Sequence, residues 1–268
     1  MCHTDNNSIR APLPGGVARS ARAARKPRAF TLVELLVVMG IIAILMGLLM
    51  PALSAARKQA NVIKCLANIH SQLQAIFIYA NDNRGRLVCG SANPLLYPGQ
   101  GPIAPINSLA TFQFWLGLNQ EPSGLGVLLE NGAFPYDILF CPTDTLADPP
   151  AEYDKMQCHS SDIAWCSYLY RQLDGQELTP PKTQLSNLGN NGQHLPIRAL
   201  IMDMQCIMEW QGLPIKRPHE GKLCCIGFTD GSAISAPNTD ENFTLMGNTS
   251  DFDKRLDAIL EYADSLGP

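Results

Sequence analysis

The sequence predicts an α+β protein in which a long N-terminal helix packs on a small antiparallel sheet, with a loop-rich head and a helix near the C-terminal end. Three observations predict it. An apolar run from Leu35 to Leu53 passes, with no Gly/Ser-rich or Pro-rich linker, into a stretch whose apolar residues recur every three or four positions. Beyond residue 86 the apolar runs become short and are separated by turn-forming residues, as short strands require. From Asp251 to Leu266 helical periodicity returns, with Phe252, Leu256, Ile259, Leu260 and Tyr262 or Ala263 apolar and acids between them.

Residues 1–29 form a basic leader, with Arg10, Arg19, Arg22, Arg25, Lys26 and Arg28 against Asp5 alone. A leader is set aside before reasoning about fold. Taking its net +5 from the whole-chain −4 leaves −9 for the rest. Basic charge on the N-terminal side of a span holds that side in the cytoplasm, so the remainder is expected outside it. The acidity of that remainder argues against nucleic acid as its primary partner. The leader has no apolar core of its own, and the hydrophobic block follows it. A secretory signal has the opposite order, because its apolar region is discarded on cleavage. A plain membrane anchor would explain the length of the block but not Thr31, Glu34 or Pro51.

The helix is predicted from Phe30 to about Asn81, roughly 78 Å at 1.5 Å per residue. Residues 30–53 are apolar on every side and long enough to cross a bilayer. Over residues 54–85 the pattern narrows to a stripe of Val62, Leu66, Ile69, Leu73, Ile76 and Ala80, with Arg57, Lys58, Lys64, Gln72 and Gln74 elsewhere. The stop falls at Asn81-Asp82-Asn83-Arg84-Gly85, where Gly85 supplies a positive φ. Together these halves describe a lollipop-like subunit, with a protruding apolar helix and a head wrapped on its lower part. The alternative is a tether followed by an independent domain.

In the head, residues 86–268, Pro94, Pro98, Gly99, Gly101, Pro102 and Pro105 predict a loop. Leu125–Leu129 and Ile138–Phe140 are short helix or strand candidates, and Ile197–Met202 and Leu223–Phe228 read as strands. Phe112, Phe114 and Trp115 are assigned to core packing rather than a contact patch. Of nine cysteines, Cys2 lies in the leader. The others are Cys65, Cys89, Cys141, Cys158, Cys166, Cys206, Cys224 and Cys225, an even set that permits disulfides outside the cytoplasm without fixing their connectivity. Adjacent Cys224 and Cys225 would face opposite sides of a strand and so have different partners or none. No pair has zinc-knuckle spacing.

Ala29-Phe30-Thr31-Leu32-Val33-Glu34 joins the leader to the apolar helix and puts one acid inside the hydrophobic block. A carboxylate in hydrocarbon needs a neutralising partner. The nearest candidate is the α-amino group of Phe30, once exposed by cleavage, because Leu35 to Ser54 contains no Lys or Arg. The segment resembles the cleavage and methylation signature of type IV prepilins and of the pseudopilins of type II secretion. In that signature a small residue, usually Gly, precedes Phe-Thr-Leu-x-Glu, and Ala29 takes the Gly position here. The resemblance implies a pilin-like fold and cutting by a prepilin peptidase between Ala29 and Phe30, more slowly than after Gly. It further implies N-methylation of Phe30 and docking of subunits guided by Glu34. Pro51, twenty-one residues after Phe30, matches a proline that bends or locally melts the family's helices. The implied partners are the peptidase, other pilin or pseudopilin subunits and an inner-membrane assembly platform. The implied location is a single pass through the inner membrane, N-terminus in the cytoplasm and head outside, followed by a periplasmic or surface filament.

Further patches resemble prepilin-like proteins whose C-terminal signature is a histidine, about nine residues, then Asp-Gly. They are Cys65-Leu66-Ala67-Asn68, Tyr79 to Gly85, Phe140-Cys141-Pro142-Thr143-Asp144, Ser167-Tyr168, and His219 with Asp230-Gly231-Ser232. Ten residues separate His219 from Asp230, which implies a one-residue bulge or loop insertion. On their own chemistry, Asp230-Gly231 after Ile226-Gly227-Phe228 predicts a hairpin turn. His219 is read as a loop residue bonded to the sheet's backbone, since a lone histidine is not specific for metal. Cys141, His219 and Asp230 are the residue types of a thiol hydrolase, but no nucleophile context joins them, and no catalytic residue is assigned. The resemblance to major pseudopilins raises calcium on loop oxygens, for which Asp230, Asp240, Glu241 and Asp251 are available. They lack EF-hand spacing and are read as solvated surface, so no cofactor is expected. The predicted function is a non-enzymatic filament subunit. Its alternative is an envelope or surface binding protein anchored by a pilin-type signal that does not polymerise.

Overall fold

The computed structural model describes residues 31–88, 110–116, 120–144, 148–171, 184–203, 205–206, 218–245 and 252–267. The chain divides into two compact units, Met1–Pro51 and Ala52–Pro268. Helix α1, Leu32–Asp82, is 51 residues long and contributes to both. Pro51 lies inside it, and the helix continues past the proline without a break.

In the first unit every described residue is exposed, including Leu32, Leu36, Ile44, Leu48 and Met50. An apolar rod of this kind hides nothing within its own chain. Among the described residues it is the one helix long and apolar enough to cross a membrane.

In the second unit α1 becomes one-sided. Ile69, Leu73, Ile76 and Ala80 of the predicted stripe are buried, and Val62 and Leu66 pack at its margin. The buried face also includes Cys65 and two polar residues, Asn68 and Gln72. The helix closes where expected: Gly85, at φ +82°, donates its N–H to the Ala80 carbonyl at 2.6 Å.

The helix face lies on a six-stranded sheet. The strands are β1 (Ala110–Leu116), β2 (Glu121–Pro122), β3 (Ala164–Arg171), β4 (Ala199–Asp203), β6 (Leu223–Phe228) and β7 (Ala233–Pro237), in the order β2-β1-β3-β4-β6-β7. All its neighbours are antiparallel. A separate parallel pair joins β5 (Gln205–Cys206) to β8 (Thr244–Leu245). Short helices α2 (Leu125–Glu130) and α3 (Pro149–Gln157) precede β3, and α4 (Phe252–Leu266) completes the described chain. The α+β expectation therefore holds.

Gly227 of β6 sets how closely α1 approaches. A Cβ there would stand 2.5 Å from Ile69 Cγ2 and 2.9 Å from Leu73 Cδ1, so only hydrogen fits. Adjacent Phe228 faces the other side, where Gly267, just after α4, lies against its ring. α1 and the end of α4 thus cover opposite faces of the sheet. Asp264 fixes α4 there. Its buried carboxylate accepts from Arg171 Nη1 (2.9 Å to each oxygen), from the Arg198 and Ala199 N–H groups, and from Asn191 Nδ2.

The predicted Asp230-Gly231 turn is present between β6 and β7. Gly231 has φ +88°, the Phe228 N–H donates to the Ser232 carbonyl, and the Asp230 carboxylate accepts from the Ser232 N–H and Oγ. The β6–β7 register is regular, and the irregularity falls in the β4–β6 pairing between Ala199 and Ile201. The bulge suggested by the ten-residue spacing is therefore not in β6. Leu125–Leu129 resolves to α-helix, while Tyr136–Leu139 forms a 3-10 turn in place of a regular element at Ile138–Phe140. Phe114 and Trp115 are core residues, and the predicted loop from Pro94 to Pro105 lies outside the described residues. The side chain of Phe112 lies outside them too.

Candidate functional site

Two places in the chain gather chemistry. The first is the start of α1, where Thr31-Leu32-Val33-Glu34 folds as a reciprocal cap. Thr31 Oγ1 accepts from the Glu34 N–H at 3.2 Å, and the Glu34 carboxylate accepts from both the Thr31 N–H and the Thr31 hydroxyl at 2.9 Å. The arrangement satisfies helix N–H groups that have no partner within the helix. Cleavage before Phe30 would leave the Phe30–Thr31 amide intact, so the cap survives processing. Its donors are neutral, so the cap supplies Glu34 with hydrogen bonds but no countercharge. Ala29 and Phe30 lie outside the described residues.

The second is a buried polar cluster where the sequence patches meet. Each patch contributes by a distinct local device. Cys65 and Asn68 are three residues apart on the inner face of α1. Asn68 Nδ2 donates to the Phe140 carbonyl at 3.1 Å, placing the next residue, Cys141, beside the helix. Cys141-Pro142-Thr143-Asp144 is a β-turn closed from the Asp144 N–H to the Cys141 carbonyl, with Pro142 where a fixed φ suits it. Asp144 accepts from the Ser167 hydroxyl at 2.6 Å, and neighbouring Tyr168 Oη lies 3.3 Å from Cys65 Sγ.

His219 enters from the turn Pro218–Gly221, which precedes β6. It and Glu220 have left-handed backbones, φ 53° and 59°, a strained pair that persists only when its surroundings hold it. Thr143 Oγ1 accepts from the His219 N–H at 2.9 Å, and Asn238 Nδ2 donates to the Gly221 carbonyl. On the surface, Lys58 of α1 and Lys222 pair with Glu220. The expected bond from His219 to the sheet's backbone is not what the imidazole makes: its Nε2 faces side chains. Its Nε2 lies 3.6 Å from Cys141 Sγ, 3.8 Å from Cys225 Sγ and 3.3 Å from Asp203 Oδ2.

Asp203, at the end of β4, also receives the Cys225 N–H at 3.0 Å and the Cys65 thiol at 3.0 Å. The ligand atoms of Cys65, Cys141, Asp203 and His219 all lie within 4.8 Å of one another, and all four residues are buried. Their charges are interdependent. Burial pulls the His219 pKa down, but Asp203 and the Cys141 and Cys225 sulfurs outweigh it and push it up to about 12. The hydrogen bond from Cys65, with help from His219 and Thr143, overcomes burial and draws Cys141 down to about 6. Interaction with the Cys141 and Cys225 sulfurs, burial and the nearby Asp203 together push the Cys65 thiol up.

This geometry corrects the thiol-hydrolase grouping. Cys141 and His219 are together, but Asp230 is in the exposed β6–β7 turn and the acid at the imidazole is Asp203. Cys141 is 3% exposed and His219 8%, so a substrate has no approach to the pair. The His…Asp-Gly signature separates into two jobs at opposite ends of β6, one residue entering the cluster and two making a turn. Cys224 and Cys225 differ as expected: Cys225 faces His219, whereas Cys224 Sγ lies by the Asp203 carbonyl. Asp203 and Cys225 were missed because nothing in their local sequence marks them. Cys65 did carry a signal, through its patch.

Residues 24–50 match the family described as the prokaryotic N-terminal methylation motif. The chain carries a prepilin-type N-terminal methylation motif. Over 59 residues of its N-terminal region the chain is 44% identical to the type IV wide pilus major component PilA4 of Thermus thermophilus. That stretch is 22% of this chain and 45% of PilA4, so the chain spans less than half the length of this curated relative. No solved structure matches the chain.

Proposed function

We propose that this protein is a non-enzymatic subunit of a type IV pilus-like or type II secretion pseudopilus-like filament. A prepilin peptidase cuts it between Ala29 and Phe30 and methylates the new Phe30 amine. The chain first resides in the inner membrane by a single span, N-terminus in the cytoplasm. An assembly platform then moves it into a filament of like subunits.

The observation that carries this reading is the first part of α1 under a methylation motif: a helix apolar on every side, exposed throughout, with one acid at its capped end. Lipid covers such a rod before assembly. In a filament core, helices of neighbouring subunits cover it instead, so the apolar area stays away from water throughout the transfer. Glu34 is the polar exception, and its cap with Thr31 supplies hydrogen bonds without a countercharge. The methylated Phe30 amine of a neighbouring subunit supplies the cation. That pairing offsets desolvation and fixes the axial register of docking.

Substitutions at Glu34 separate charge from capping. Glu34→Gln keeps an oxygen able to accept from Thr31 and loses the charge, whereas Glu34→Ala loses both. With the remaining assembly components present, both variants are expected to insert in the membrane and to give few filaments, counted by electron microscopy of the sheared fraction. Normal filament yield from Glu34→Gln would remove the electrostatic role.

A further inference from the structure

The filament reading assigns the buried cluster no role, and its composition needs an explanation of its own. Two thiols, an imidazole and a carboxylate converge from four separate places: the inner face of α1, the turn after Phe140, the end of β4, and the strained turn before β6. Burying several ionisable groups together is costly unless something compensates their charge. Structures retain such a group when it is held for a ligand or a reaction, and burial here excludes a substrate.

We propose that Cys65, Cys141, His219 and Asp203 bind a structural zinc ion that clips α1 to the sheet. The donors suit that ion. Zinc is borderline-soft and takes thiolate sulfur, imidazole nitrogen and carboxylate oxygen, usually four in a tetrahedron, whereas calcium and magnesium take oxygen. With metal–sulfur bonds of about 2.3 Å and metal–nitrogen bonds of about 2.0 Å, a tetrahedron has sulfur-to-nitrogen edges of about 3.5 Å. The Cys141 Sγ to His219 Nε2 separation is 3.6 Å.

The surroundings serve as an outer shell. The Cys225 N–H holds Asp203 Oδ2, and Tyr168 Oη lies by Cys65 Sγ. Thr143 receives the His219 N–H and contacts Cys141 Sγ at 3.1 Å, so one hydroxyl fixes two ligands. Outer partners of this kind orient metal ligands and are part of such sites. Binding releases to solvent the Cys65 thiol proton, the proton on His219 Nε2 and any proton left on Cys141, and changes no oxidation state.

The ligands are far apart in sequence, so an ion joining them closes long loops and couples the lower part of α1 to β4 and β6. A structural zinc with this donor set has an open rival, a Cys65–Cys141 disulfide. The proposal stands or falls independently of filament formation.

The test uses the full chain, purified in detergent with a thiol reductant and without chelator. Elemental analysis is expected to find about one zinc per chain, falling below about a tenth in Cys141→Ser and His219→Ala, while the exposed Cys158→Ser keeps its metal. Should those variants misfold, the wild-type chain decides alone. After zinc removal, added Co²⁺ is expected to give thiolate-to-cobalt charge transfer and the d–d bands of a tetrahedral site. Folded wild-type protein with neither stoichiometric zinc nor those bands overturns the proposal. A Cys65–Cys141 disulfide in peptide maps of the non-reduced protein overturns it as well.

Discussion

Replacing Gly227 by alanine tests the joint between α1 and the sheet. Carbon atoms pack best at about 3.5–4.0 Å. The new Cβ would stand 2.5 Å from Ile69 Cγ2 and 2.9 Å from Leu73 Cδ1, so α1 must retreat by roughly 1 Å or both side chains must leave their rotamers. Overpacking of this kind costs about 1–3 kcal/mol. Against it, alanine restricts the unfolded chain and returns about 0.4–1 kcal/mol. From the middle of each range the net loss is about 1.3 kcal/mol, and at 2–4 °C per kcal/mol the unfolding temperature of a domain this size falls by roughly 3–5 °C. Thermal unfolding of the full chain in detergent, followed by near-ultraviolet circular dichroism, reads that shift. The clash also has a signature, because Ile69→Ala removes the nearest atom. The double variant should lose less than the sum of the single losses, by about 1 kcal/mol or more. Neutral or stabilising behaviour of Gly227→Ala, with strictly additive losses, would refute the close approach.

Two further outcomes follow from local geometry. Asp264→Ala leaves Arg171 buried without its carboxylate and frees the Arg198 and Ala199 N–H groups, so urea unfolding should show about 3–5 kcal/mol of destabilisation. A loss under about 1 kcal/mol would mean that α4 is held by its apolar face alone. Ala29→Gly restores the residue usual at the cleavage position, and leader removal in pulse-chase labelling should be faster than in the native chain. An unchanged rate would show that Ala29 does not limit cleavage.

The parts of the fold legible in the sequence were those with a period or a punctuating residue. α1 showed itself through the Ile69, Leu73, Ile76 and Ala80 stripe, α4 through Leu256, Ile259, Leu260 and Ala263, and the β6–β7 hairpin through Asp230-Gly231. Strand β3 did not, although it is central to the sheet. Both of its faces are covered, so Cys166, Ser167, Tyr168, Leu169 and Tyr170 are all buried and no polar alternation marks it. Helix α3 opens on Pro149-Pro150 and buries only Met156 among its nine residues, too little for a recognisable stripe.

The cluster was hidden for a different reason. Cys65, Cys141, Asp203 and His219 carry no mutual spacing, and only the sheet order and the docked helix bring them together. The order of the patches along the chain was visible; their convergence was a property of the tertiary fold. At the N-terminus the same residue had two readings. Glu34 drew notice as a charge in an apolar helix, while its Thr-x-x-Glu capping pattern with Thr31 was equally present in the sequence. The structure keeps both, since the cap satisfies backbone donors and leaves the charge to be answered elsewhere.

The most direct test is the mass and N-terminal sequence of the native chain recovered from sheared surface or periplasmic filaments. The account predicts a polypeptide beginning at Phe30, heavier by one methyl group on its amine and present as a repeating subunit. A chain that still begins at Met1 and is found only in the membrane fraction, with peptidase and assembly components at work, would contradict it.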